Sequence, residues 1–126
     1  MCIRLDTLTG LASGIQHLPE YAMRILRDFQ GLEVRLTEER LEHILEHPEM
    51  ADREASIEET LLSPEQVLEF LFDPEVRLYY RFYRMTLVGD KYLCVVVKMR
   101  QGDAFVLTAY LTDSVKRGWR SWPETE

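Results

Sequence analysis

The chain predicts an α+β fold in which N-terminal helices pack on a small antiparallel sheet of three to four strands arranged as a meander. Three observations carry this expectation. The spacing of apolar residues changes from helix-like to strand-like near Val76. The charge changes sign at the same place: residues 30–75 carry 14 acidic and 3 basic side chains, whereas residues 76–120 carry 9 basic and 3 acidic ones. Turn-forming sequences, Val88-Gly-Asp-Lys91 and Gln101-Gly-Asp103, then divide the second half into three strand-length runs. The expected organisation is an N-terminal extension with one helix (1–30), a single α+β domain (31–120) and a C-terminal tail (121–126).

Residues 1–16 are poorly patterned. Beyond Pro19, Ala22, Ile25, Leu26 and Phe29 fall at i, i+3, i+4 and i+7, so a helix is expected there, with Gly31 as its stop. Leu32–Leu36 reads as a short extended piece. Thr37 is a good N-cap for a second helix, and Glu38 and Glu39 suit its positive end. Leu41, Ile44 and Leu45 form its apolar face, and Pro48 ends it. A third, short helix is expected over Ile57–Leu62. Ser63-Pro64-Glu65 opens a fourth, with Val67, Phe70 and Leu71 inward and Asp73-Pro74 closing it. Residues 76–86 read as a strand. Tyr92–Lys98 is a near-continuous apolar run, as expected of a central strand covered on both faces. Ala104–Leu111 completes the meander. If the first hairpin closes around Gly89-Asp90, Arg81 lies opposite Lys98 and Tyr83 opposite Val96. Two cations across a ladder repel unless they are solvated or share an anion.

The composition bounds function broadly. A chain of 126 residues with 46% apolar and 29% charged residues is one ordinary globular domain. No apolar run approaches the roughly 18–20 residues that span a bilayer. The N-terminus lacks the apolar stretch of a secretory signal. Cys2 and Cys94 are far apart in sequence, and Cys94 reads as a buried free thiol. A reducing cytoplasm is the expected compartment, with no cofactor. The net charge of −7 opposes non-specific binding of a polyanion, while the basic second half restores a local site for one.

Two constellations could carry chemistry. His43-Ile-Leu-Glu-His47 fits H-x-x-E-H, in which two histidines one helical turn apart share a zinc ion and the glutamate serves as base. Pro48 follows His47 directly and no third ligand is marked, so half-exposed histidines are the preferred reading and no metal residue is assigned. The second constellation comprises His43, the aromatic run Tyr79-Tyr-Arg-Phe-Tyr-Arg84, Lys98, Thr108 and Tyr110. Metal-free RNA cleavage needs this inventory. A group that both takes and gives a proton near pH 7 is histidine, and cations hold the phosphoryl oxygens. Aromatic side chains such as Tyr80 stack on unpaired bases, and Arg84 adds a phosphate contact. Residue by residue, sheet aromatics are more often core and sheet cations more often solvated.

The ordered segments Arg35–Glu49, Ile57–Val67, Leu78-Tyr-Tyr-Arg81, Lys91–Lys98 and Phe105–Tyr110 resemble a phage- or bacterium-associated member of the barnase–EndoU–colicin–RelE (BECR) group of metal-independent ribonucleases. The similarity spans residues 33–119. It implies a RelE-like fold and an RNA-cleaving or RNA-binding site on the open sheet face. His43 would be the general acid or base, Arg81 and Lys98 the phosphate clamps, and Thr108 and Tyr110 hydroxyl donors, with Tyr80 and Arg84 binding substrate. Activity in such a chain can be degenerate. The alternative expectation is a non-enzymatic protein-interaction module, pairing with itself or with a charged protein partner through the acidic helices and basic sheet. Neither reading involves a membrane or specificity for DNA.

Overall fold

The computed structural model describes residues 23–116 and 118–123. The poorly patterned residues 1–16 therefore lie outside the described residues. The architecture is a seven-stranded mixed sheet with two helices on one face. The strands are β1 (Met23–Arg27), β2 (Glu33–Thr37), β3 (Gln66–Phe70), β4 (Val76–Thr86), β5 (Gly89–Arg100), β6 (Asp103–Thr112) and β7 (Gly118–Trp122). The helices α1 (Glu38–Leu45) and α2 (Glu54–Leu62) both lie between β2 and β3, joined by a 3-10 turn over Pro48–Met50. The order across the sheet is β1-β2-β6-β5-β4-β3-β7. All neighbours are antiparallel except β2 and β6, which are parallel and paired at Arg35 and Phe105.

The expected fold class is thereby corrected. Among the described residues there is no N-terminal helical layer, and the sheet is larger than a three- or four-stranded meander. The helix expected over 22–29 is instead β1, one arm of a hairpin in which Met23 faces Thr37 and Arg27 faces Glu33. Five residues are too few to separate a period of 3.6 from one of 2. Gly31, at φ +87°, serves the hairpin turn and not a helix stop. The fourth expected helix is β3. Ser63 is the C-cap of α2, its N–H donating to the Glu59 carbonyl, so Pro64 ends a helix instead of opening one. Val67 and Leu68 are both buried, as in a strand covered on two sides. Ser121 and Trp122, expected in a tail, belong to β7.

Other expectations hold. The Thr37 hydroxyl accepts from the Arg40 N–H at 3.1 Å and caps α1. Leu41 and Ile44 of α1, and Ile57, Thr60 and Leu61 of α2, are buried. Central β5 sends Leu93, Val95 and Val97 into the helix-covered core, and Cys94 and Val96 into a second cluster on the other face.

The two layers are closed differently. Asp28, in the β1–β2 turn, is buried over the helix-covered face. Its carboxylate accepts from the Gln30 and Leu32 N–H groups at 2.9 Å and from the Tyr79 hydroxyl at 2.7 Å. This fastens an edge hairpin to a central strand far away in sequence. On the second face, the segment after Thr112 crosses from β6 to β7, past β5, β4 and β3. Val115 packs on the second cluster, and the Lys116 N–H donates to the Tyr80 hydroxyl at 3.0 Å. Gly118, where β7 begins, lies so close to β3 that a Cβ would clash with the Glu69 carbonyl oxygen.

Candidate functional site

The register of β4 and β5 decides which candidate residues share a face. The hairpin loop is Leu87-Val88, with Thr86 paired to Gly89, and a bulge lies between Tyr83 and Thr86. Gly89 (φ +97°) follows the loop as the left-handed residue that such a turn requires. The expected closure around Gly89-Asp90 is corrected, and with it the ladder. Arg81 pairs with Leu93, Tyr83 with Lys91, and Lys98 with Val76. The displacement is an odd number of residues, so it puts Arg81 and Lys98 on opposite faces.

Arg81 points toward the helices. Its Nη1 donates to the Ser63 carbonyl at 2.7 Å, satisfying the C-terminal end of α2. Lys98 lies on the second face with its side chain only 14% exposed. Its Nζ sits 2.7 Å from Asp73 Oδ2 and 3.3 Å from Glu75 Oε1. The hydrogen bond to Asp73 holds the lysine pKa above its ordinary value, and the same bond holds the Asp73 carboxyl below its own. Arg100 approaches Glu75 as well, at 3.7 Å. The expected repulsion between Arg81 and Lys98 thus does not arise, and the positive charge of Lys98 is met from within the chain.

Thr108 and Tyr110 share the face of Lys98, opposite Val96 and Cys94 respectively. Tyr80 is buried there, beside the ring of Tyr92 at 6.3 Å. Burial pushes the tyrosine hydroxyls of Tyr80 and Tyr110 well above their ordinary pKa, and their proximity to Cys94 adds to this. Burial likewise pushes the Cys94 thiol up to about 11. These three groups stay protonated near neutral pH and are poor nucleophiles or bases. Arg84 is exposed near the end of β4.

His43 lies on the outer surface of α1, its side chain 63% exposed and its Nδ1 3.7 Å from Glu46 Oε1. The helix layer and the sheet separate it from Lys98, Thr108 and Tyr110. His47 falls beyond the end of α1, in extended backbone. The two histidines are therefore not one turn apart on a helix, as the H-x-x-E-H geometry requires. Among the described residues, no three His, Cys, Asp or Glu side chains are grouped so as to hold a metal ion.

Two further sheet cations are also paired. Arg35 donates to both oxygens of Asp103, at 3.0 and 2.6 Å, and its guanidinium lies 5.4 Å from the Phe105 ring centroid. Lys91 pairs with Asp113. The feature that motif reasoning passed over is the tip of the first hairpin, where Met85, Leu87 and Val88 are exposed. Its signal in the sequence is an apolar pair in a turn where polar residues and glycine are the rule.

No protein-family model, curated protein or solved structure matches the chain. Among the described residues, no helix is long and apolar enough to cross a membrane.

Proposed function

We propose that this domain is a non-enzymatic protein-interaction module. The observation that carries the reading is the internal neutralisation of three sheet cations: Lys98 by Asp73 and Glu75, Arg35 by Asp103, Lys91 by Asp113. A phosphate that displaced these carboxylates would have to repay their ion pairs and would meet the charge it displaced. His43, the group best suited to proton transfer near pH 7, stands apart from the other candidates. One observation favours the ribonuclease-like reading as the competitor, namely that Lys98, Thr108 and Tyr110 occupy one face.

The two readings separate in one assay. Purified protein is incubated with single-stranded RNA in EDTA, and cleavage and filter retention are followed from low to moderate salt. The expected result is no cleavage and no retention at physiological salt. Cleavage, or salt-dependent retention that is lost in Lys98→Ala, overturns the interaction reading in favour of the ribonuclease-like one.

A further inference from the structure

The hairpin joining β4 and β5 inverts the usual arrangement of a surface turn. Met85 is 88% exposed, Leu87 68% and Val88 48%, at the end of the longest strand pair in the fold. The polar residues of the same loop bond to its backbone. The Asp90 carboxylate accepts from the Met85 N–H at 2.8 Å. The Thr86 hydroxyl donates to the Gly89 carbonyl and accepts from the Val88 N–H. Met85 also sits at φ +57°, a conformation unfavourable for a side chain with a Cβ, at the bulge that interrupts the ladder. Bulges re-aim side chains, and strain of this kind persists where the surroundings enforce it.

The neighbouring hairpin shows that apolar exposure is not needed to turn the chain. Between β5 and β6 the residues with positive φ are Gln101 and Gly102, both exposed and neither with a large apolar side chain. The β4–β5 tip therefore spends apolar exposure on something other than reversal.

Building on the interaction reading, we infer that this tip is the docking element and that it inserts into an apolar cleft of a protein partner with a carboxylate at its rim. Three considerations select this occupant. The tip is convex, so its complement is concave. Three side chains offer a few hundred Å², and tip-to-tip contact between two copies would fall far short of the ~1,200 Å² of a stable interface. A bilayer is a poor complement because three such side chains offer less apolar carbon than one acyl chain, which by itself binds membranes only marginally. Arg84, beside Met85, is exposed and makes no ion pair among the described residues, so it is available to an acidic rim. Methionine adapts to apolar clefts through its three rotatable bonds. The loop hydrogen bonds reduce the ordering that binding would otherwise require.

The test places the photoreactive residue p-benzoylphenylalanine at position 87 in the full chain, in cells that make the protein. The expected result is one predominant adduct that excess wild-type protein competes away. The double variant Leu87→Asp/Val88→Asp competes about tenfold less well or worse, because central apolar anchors carry most of an interface's energy. Arg84→Glu weakens competition and Lys116→Glu does not. All competitors keep the wild-type Tm, since these positions are exposed. Equal competition by the double variant overturns the tip while leaving an interaction module intact. Absence of any saturable adduct, from position 87 and from probes at the exposed apolar residues Ile25, Leu62 and Phe72 alike, overturns both. Tip-dependent binding to phosphatidylcholine/phosphatidylserine vesicles, or tip-dependent dimerisation in sedimentation, overturns the choice of occupant.

Discussion

The two faces of the sheet treat their polar groups in opposite ways. The helix-covered face is sealed by α1 and α2, and the buried carboxylate of Asp28 is held by two backbone N–H groups and the Tyr79 hydroxyl. The other face is crossed by only a few residues of chain, and its charged groups sit in partly buried pairs such as Lys98 with Asp73. A polar group on the first face belongs to the fold, because water cannot replace its partner. On the second face water can substitute, so the same chemistry costs less to lose.

Truncation should expose the difference most strongly. Leu93→Ala removes a fully buried side chain from the helix-covered core and should cost about 2–5 kcal/mol, whereas Leu107→Ala on the second face should cost less than about 2. Urea unfolding of the two variants measures this, and equal losses would break the comparison. A smaller contrast is expected between two hydroxyl deletions. Tyr79→Phe leaves the Asp28 carboxylate short of a donor in a buried setting and should cost about 1–3 kcal/mol. Tyr80→Phe removes an acceptor for the Lys116 N–H, on an exposed residue that water can reach, and a weak contact with the Cys94 thiol, and should cost less. Thermal denaturation decides between them.

The smallest effect concerns pH. The Asp73 carboxyl is held below its ordinary pKa, so the folded state binds fewer protons there than the unfolded chain. The stability it contributes is present above the ordinary carboxylate pKa and fades as pH falls through the lowered value. Lys98→Gln should therefore flatten the acid limb of a stability–pH profile slightly. An unchanged acid limb would mean that the pair is fully screened by water.

Much of the fold was legible where the sequence signal was long or chemically specific. The eleven- and twelve-residue strands β4 and β5 announced themselves by length and composition. Thr37 announced α1 through its capping hydroxyl. The five-residue strands β1 and β3 did not, because Ile25-Leu26 and Val67-Leu68 satisfy either period. Pro64 carries the same letter whether it starts a helix or stops one. The site was less legible still. A single bulge at Met85, invisible to composition, moved Arg81 to the other face from Lys98. The carboxylates that neutralise Lys98 come from the β3–β4 turn, and nothing in a linear charge map says that the acidic half reaches over to cancel the basic one. The exposed tip was legible in principle, since Leu87-Val88 is an odd pair for a turn, but a search for motifs looks for what is present in familiar chemistry.

The crossing from β6 to β7 has a consequence for how the chain is made. β7 is the last strand of the sheet to leave the ribosome, and it pairs with β3, synthesised some fifty residues earlier. Until it arrives, β3 has an open edge, and Tyr80, Cys94 and Tyr110 lack the segment that later lies across them. A chain with residues only up to Thr112 outside the ribosome would therefore display a sheet complete on its helical side and unfinished on the other. The close approach at Gly118 makes that final pairing intolerant of any larger residue. Nascent-chain proteolysis should show β3 becoming protected in step with the emergence of β7, well after the helices have formed.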